Sequence, residues 1–99
     1  MSATIEQRET HTLVRLEGAV SVTSAAELKE LLVQALAYGT ELHLDLEQVA
    51  EIDTAGMQLL WAAEREAERV GVRFAVRPSD AAANAMRDAG FADFPETRG

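Results

Sequence analysis

Cysteine is absent from the chain of 99 residues, which excludes disulfide bonds and thiol chemistry. Basic residues are scarce, with 9 Lys and Arg against 17 Asp and Glu, and they form no run. The net charge of −8 disfavours binding to nucleic acid or to an anionic membrane surface, because both require clustered cations. No apolar run approaches the roughly 18 residues of a membrane-spanning helix, and residues 1–8 lack the apolar segment of a secretory signal. We therefore expect a cytoplasmic protein without direct membrane insertion.

Motifs that carry catalysis or cofactor binding are also missing. Neither of the common Gly-rich phosphate-binding patterns, G-x-x-x-x-G-K-[ST] and G-x-G-x-x-G, occurs. The only histidines are His11, in a predicted turn, and His43, which are too few for the three or four ligands of a zinc site. His43 and Asp45 share one face of a predicted strand and could support acid–base chemistry, but polar residues on the wet face of a half-buried strand are the simpler interpretation. We expect a non-enzymatic protein with no cofactor and no metal.

The composition that remains is that of a soluble globular domain. Hydrophobic residues make up 47% of the chain and charged residues 26%, which are ordinary values for such domains. A chain of this length buries roughly 60–70% of the surface of its unfolded form, which is enough for one core. We therefore expect a single domain over residues 1–99, with an ordered core over about residues 4–95.

Hydrophobic periodicity predicts an α/β fold in the order β-β-α-β-α-β-α. The strands are predicted at residues 5–8, 12–17, 41–46 and 72–76, with Gly18 ending the second. The helices are predicted from Ala25 to a stop at Gly39, from the segment 53–56 to about Val70, and from Pro78-Ser79 to Gly90, after which Phe91 and Phe94 fold back onto the core. Helices between successive strands imply crossover connections, and hence a four-stranded mixed sheet with one wet face.

Helix starts can be predicted from capping residues. Ser24 with Glu27 fits a capping box for the first helix, with Thr23 as the alternative cap. Asp53 or Thr54 is predicted to cap the second helix, because Asp and Thr are common N-caps, and Gly56 would let that helix approach the sheet closely. A hydroxyl at this place also faces the positive end of the helix dipole, which would stabilise a phosphate on Thr54. The residues alone leave both interpretations of Thr54 open.

Two runs in the centre of the chain resemble the signature of STAS domains (sulfate transporter and anti-sigma factor antagonist). They are LDL at residues 44–46 and IDTAGMQLL at residues 52–60. The family signature is an apolar strand, a short loop, and the pattern D-[S/T]-x-G at the start of a helix. Residues 18–28 are similar to the family's segment that enters its first helix, and residues 78–79 and 89–91 match later landmarks. The resemblance covers residues 5–94.

The resemblance implies a sheet with three main helices mainly on one face, no catalysis, and partner switching. An antagonist of this family binds an anti-sigma factor that is a serine kinase, is phosphorylated at the motif hydroxyl, and then releases its partner. Thr54 is therefore the candidate phosphorylation site. Members with Thr rather than Ser include the STAS subunit of a lipid-transport ABC transporter, which docks on the ATPase subunit. Others are small bacterial proteins encoded beside chemotaxis genes, and both roles are alternatives here.

The second helix is the predicted docking surface for the protein partner. Met57 and Trp61 are neighbours at a spacing of four residues, and both types are favoured at binding surfaces. The alternative for Trp61 is that it folds over the edge of the core. The candidate partner-binding residues are Asp53, Thr54, Ala55, Gly56, Met57, Gln58 and Trp61.

Overall fold

The computed structural model describes residues 1–88 and shows four strands in one sheet together with three helices. Strands β1 (Ser2–Gln7), β2 (His11–Val20), β3 (Glu41–Ile52) and β4 (Phe74–Pro78) lie side by side in sequence order. β1 and β2 are antiparallel, whereas β2–β3 and β3–β4 are parallel. The mixed sheet predicted from the alternation of strands and helices is therefore confirmed, because each parallel neighbour is reached through a helical crossover.

The helices α1 (Ala25–Ala37), α2 (Thr54–Val70) and α3 (Asp80–Asp88) cover one face of this sheet. Alternate strand residues point into the core, including Val14, Leu16, Leu42, Leu44, Leu46, Phe74 and Val76. They meet buried helix residues such as Leu28, Leu32, Leu60, Ala63, Ala67, Ala82 and Met86. Burying each large aliphatic side chain contributes about 1.5–3 kcal/mol, so this one interface supplies most of the driving force for folding. No helix within residues 1–88 is both long and apolar enough to cross a membrane.

The opposite face of the sheet is polar and partly exposed to solvent. His43 shares a hydrogen bond of 2.5 Å with Glu41, and its ring stacks on His11 with 4.2 Å between centroids. Arg15 donates to Asp45 across the β2–β3 pair at 3.1 Å. The hydrogen bond from His43 lowers the pKa of the Glu41 carboxyl, and nearby Arg73 acts in the same direction. His43 and Asp45 thus lie on the wet face, as their alternation with buried leucines predicts, and both make ordinary surface contacts.

The strand bounds differ from the predicted ones where the pairing is irregular. β2 continues through Gly18 to Val20, and β3 continues from Leu46 to Ile52. Between them the register shifts twice, and Gly18 takes a left-handed conformation with φ of 85°. These irregularities break the strict alternation that marks a strand in the sequence, so the prediction ended both strands too early. His11 is correspondingly the first residue of β2 rather than part of the turn.

The predicted capping residues are observed at the start of α3 and at the end of α2, but the predicted capping box of α1 is not. Ser79 caps α3, since its hydroxyl accepts a hydrogen bond from the Ala82 N–H at 3.0 Å, and Gly71 ends α2 with φ of 78°. The predicted capping box of α1 is wrong. The Ser24 hydroxyl accepts instead from the N–H of Ser21 at 3.1 Å and stabilises a short 3-10 turn, Val22–Ser24, that precedes the helix. The predicted end of α3 at Gly90 and the packing of Phe91 and Phe94 lie outside the described residues.

Candidate functional site

Asp53 joins the ends of two strands to the starts of two helical segments. One carboxylate oxygen accepts a hydrogen bond from the Gly56 N–H at 3.0 Å, which caps α2. The other accepts from the Val22 N–H at 3.0 Å, at the start of the 3-10 turn. The Asp53 N–H itself donates to the carbonyl of Val20 at 3.0 Å. Of the two predicted caps Asp53 is therefore the observed one, and it also fixes the loop after β2, which the sequence pattern did not indicate.

Gly56 lets the first turn of α2 lie directly against the end of β2. A Cβ atom at this position would be 2.9 Å from Cγ1 of Val20, 3.0 Å from Cγ1 of Ile52 and 3.2 Å from the Val20 carbonyl oxygen. All three distances are shorter than ordinary van der Waals contact. The predicted close approach of helix and sheet is therefore confirmed. It brings the beginning of α2 beside the loop that follows β2.

The predicted partner-binding residues divide between surface and core. Thr54, Gln58 and Trp61 are exposed along one face of α2, and Trp61 keeps 43% of its surface accessible. Met57, in contrast, is only 5% exposed and belongs to the core. The expectation that Met57 only flanks the core is wrong, because α2 is rotated so that its side chain points toward the sheet. Its contribution to docking stays a prediction.

Val22 is the functional candidate that the sequence pattern missed. Its side chain is 69% exposed, more than that of any other large hydrophobic residue among those described. The hydrogen bond from its N–H to Asp53 holds it beside the start of α2 and hence beside Thr54. On either side, the hydroxyls of Ser21 and Thr23 lie 2.8 Å apart. The only sequence signal for this loop was the resemblance of residues 18–28 to a family segment, which does not single out Val22.

The chemistry available at this site is that of a binding surface. An apolar side chain, several hydroxyls and the amide of Gln58 are exposed around the start of a helix. Within residues 1–88 no three His, Cys, Asp or Glu side chains converge as metal ligands. The Thr54 hydroxyl is exposed at the first residue of α2, where the helix dipole and unpaired N–H groups favour a negative charge.

Removing the Asp53 carboxylate, which accepts two backbone hydrogen bonds, should destabilise the domain more than removing the Thr54 hydroxyl. We expect Asp53→Ala to lower the free energy of unfolding by about 1–2 kcal/mol, the range for loss of an N-cap. Asp53→Asn should cost less, because its carbonyl oxygen can still accept one of the two bonds. Thr54→Ala should cost no more than about 0.5 kcal/mol, as is usual at the surface. Urea denaturation of the three variants measures these differences, and equal losses for Asp53→Ala and Thr54→Ala would contradict the assignment of the cap.

The architecture and the site define a small α/β domain whose exposed residues surround an Asp-Thr-Ala-Gly junction between a central strand and a helix. A family model described as Mlab, STAS domain matches residues 3–96, and the chain therefore belongs to the STAS domain family. The resemblance found in the sequence is confirmed.

Solved structures of anti-sigma factor antagonists share this fold. The antagonist from Mycobacterium paratuberculosis superposes with a TM-score of 0.87 at 19% identity, over 99% of this chain and 86% of that one. The antagonist SpoIIAA in its unphosphorylated form gives a TM-score of 0.81 at 17% identity, over 99% and 89%. The phosphorylated form of SpoIIAA from Bacillus gives 0.75 at 18%, over 99% and 92%. No curated protein matches the sequence significantly.

Proposed function

We propose that this STAS protein is a non-enzymatic regulator that binds a protein partner through the start of α2, in the manner of an anti-sigma factor antagonist. The docking surface consists of Val22 and Thr23 from the loop and of Thr54, Gln58 and Trp61 from the helix. The exposed Asp53 and the half-buried Ala55 also belong to this surface, and the buried Gly56 supports it. Phosphorylation of Thr54 would control the affinity of the complex.

The observation that carries the proposal is the composite surface held together by Asp53. Val22 exposes 69% of its surface to water, although an apolar side chain of that size gains by burial. Asp53 fixes the backbone of the loop beside the start of α2 through two hydrogen bonds of 3.0 Å, so the loop that carries Val22 lies next to the first turn that carries Thr54. A surface that is ordered before binding loses little conformational entropy when a partner docks.

The start of α2 suits Thr54 to a role as a switch. A phosphate adds about −1.5 to −2 charges and would be stabilised there by the helix dipole and by N–H groups. A partner that covers Thr54 must remove water from that charge, which costs several kcal/mol unless a cation compensates. The solved structures of SpoIIAA in unphosphorylated and phosphorylated forms support this part of the proposal by showing that the fold is compatible with a phosphorylated state.

A constitutive docking role is the second candidate. The matching family model is described as Mlab, and this chain has Thr rather than Ser in the motif. A STAS subunit that docks on the ATPase of a lipid-transport ABC transporter would use the same surface without phosphorylation. A chemotaxis-associated STAS protein would also use it, with a different partner.

Site-specific cross-linking in the native host tests the proposed surface. A photoreactive amino acid at Val22 should capture one partner, whereas the same residue at Thr4, exposed on β1, should not capture it. Mass spectrometry then identifies the partner and detects any phosphate on Thr54. A kinase-type anti-sigma factor with phosphorylated Thr54 supports switching, and a transporter ATPase with unmodified Thr54 supports constitutive docking. Equal capture from Val22 and Thr4 would contradict the proposed surface.

A further inference from the structure

Trp61 and Arg65 form an exposed pair two turns along α2 from Thr54. The guanidinium carbon of Arg65 lies 4.9 Å from the centroid of the Trp61 ring, which is the geometry of a cation–π contact. Trp61 is 43% exposed, and Arg65 and Ala62 beside it are exposed as well. Together with Glu66, Glu68 and Arg69, the three residues line a shallow groove on the outer surface of the helix. Trp and Arg are the residue types most often found at the energetic centre of protein interfaces.

Arg65 differs from the other arginines that the structure describes. Each of the others contacts a side-chain oxygen, in the pairs Arg8–Glu6, Arg15–Asp45, Arg69–Glu66, Arg73–Glu41, Arg77–Glu47 and Arg87–Asn84. Within residues 1–88 Arg65 has no carboxylate partner, although the chain carries a net charge of −8 and Glu68 lies three positions further along the helix. Its guanidinium lies over the Trp61 ring instead, and the residue is exposed.

We infer that Trp61 and Arg65 form a second anchor, which binds an aspartate or glutamate of the protein partner next to an apolar side chain. This inference rests on the proposed function, because it assumes that the partner docks along α2. The ring of Trp61 would hold the guanidinium in place while a carboxylate accepts two parallel N–H bonds from it, an arrangement that only arginine can form. The partner's apolar side chain would cover the ring and Ala62.

The second anchor is far enough from Thr54 to act independently of its charge. Trp61 and Arg65 follow Thr54 by seven and eleven residues, which is about 10 and 16 Å along an α-helix. Both distances exceed the Debye length of about 8 Å at physiological ionic strength, so charge at Thr54 is largely screened there. The anchor would therefore contribute equally to binding of the phosphorylated and the unphosphorylated protein.

Charge reversal at Arg65 tests the anchor. The affinity is measured for the purified partner that is identified by cross-linking from position 22. Arg65→Glu should weaken binding about 30-fold, the effect of losing a strong interface residue. Arg87→Glu is the matched control, because it changes the net charge equally at an exposed position of α3, outside the groove, and should have a much smaller effect. A photoreactive residue at Ala62 should capture a partner segment containing Asp or Glu, and reversing that partner charge to Arg should restore binding to Arg65→Glu. The same photoreactive amino acid introduced in place of Ala81 on α3 should capture no such partner segment.

The outcomes separate this inference from the proposed function. If Val22 captures no partner, the proposed docking surface fails and the anchor fails with it. If Val22 captures a partner but Arg65→Glu binds it as well as Arg87→Glu does, the proposed function stands and the second anchor is disproved. If Arg65→Glu weakens binding but reversal of no partner carboxylate restores it, the acidic chemistry assigned to the partner is wrong. Restoration by a single partner residue supports the inference.

Discussion

Phosphorylation of Thr54 is expected to weaken binding to the partner about 100-fold while leaving the domain folded. In the free protein the N-terminus of α2 stabilises the added charge by roughly 0.3–1 kcal/mol at this exposed position. In the complex the partner covers the site, and an uncompensated buried charge costs several kcal/mol. Stabilisation of the free state and destabilisation of the bound state both weaken binding, and a total of about 3 kcal/mol corresponds to about 100-fold in affinity.

Substitutions at Thr54 separate the effect of charge on partner binding from the effect of side-chain size. Thr54→Glu should imitate phosphorylation in part and weaken binding about tenfold, since it adds one charge rather than two. Thr54→Gln is the matched control, because it has nearly the same shape without the charge, and Thr54→Ala should retain binding. Titration calorimetry with the purified partner measures the affinities, and circular dichroism verifies that each variant is folded. If Thr54→Glu and Thr54→Gln bind equally, charge at this position does not control the complex.

Replacing Gly56 with leucine is expected to destabilise the domain by about 3 kcal/mol or more, because the side chain has no space between α2 and the sheet. Even the first atom is too close, at 2.9 Å from Cγ1 of Val20 and 3.2 Å from the Val20 carbonyl oxygen. The Val20 methyl group can move by rotation, but the carbonyl belongs to β2 and accepts the hydrogen bond from the Asp53 N–H. Helix α2 would therefore have to move off the sheet.

Two further glycine variants provide the comparison in urea denaturation. Gly56→Ala should cost less than Gly56→Leu, and Val20→Ala should recover part of the loss in the double variant by removing one of the close methyl groups. Gly71→Ala is the control for backbone conformation, since it meets open space but has φ of 78°, and it should cost about 1 kcal/mol. Wild-type stability of Gly56→Ala would show that α2 lies farther from β2 than the structure has it.

The sequence determined the order of the elements, the mixed sheet and the family. These features depend on local information, namely the period of the apolar residues, the stop glycines and the D-[S/T]-x-G motif. The leucines at 42, 44 and 46 alternate with polar residues and therefore predicted which face of β3 is buried. The start of α2 at Asp53 and Thr54 was predictable for the same reason, because a cap depends on residues within one turn of each other. The start of α1 at Ala25 was also predicted, but the capping box of Ser24 with Glu27 was not found, since the Ser24 hydroxyl accepts from the Ser21 N–H instead.

Only the tertiary structure decided which of these residues are exposed on the surface. The rotation of α2 buries Met57 and exposes Trp61, although both lie at the border of the apolar stripe in the sequence, because that border is set by packing against the sheet rather than by periodicity. Val22 belongs to the site because an Asp53 oxygen, 31 positions away in the chain, accepts its N–H. That Arg65 forms no ion pair within residues 1–88 likewise depends on where the acidic side chains of those residues lie. Each of these features depends on contacts between residues that are remote in sequence, or on which of several nearby side chains a group contacts. Both are determined only when the chain has folded.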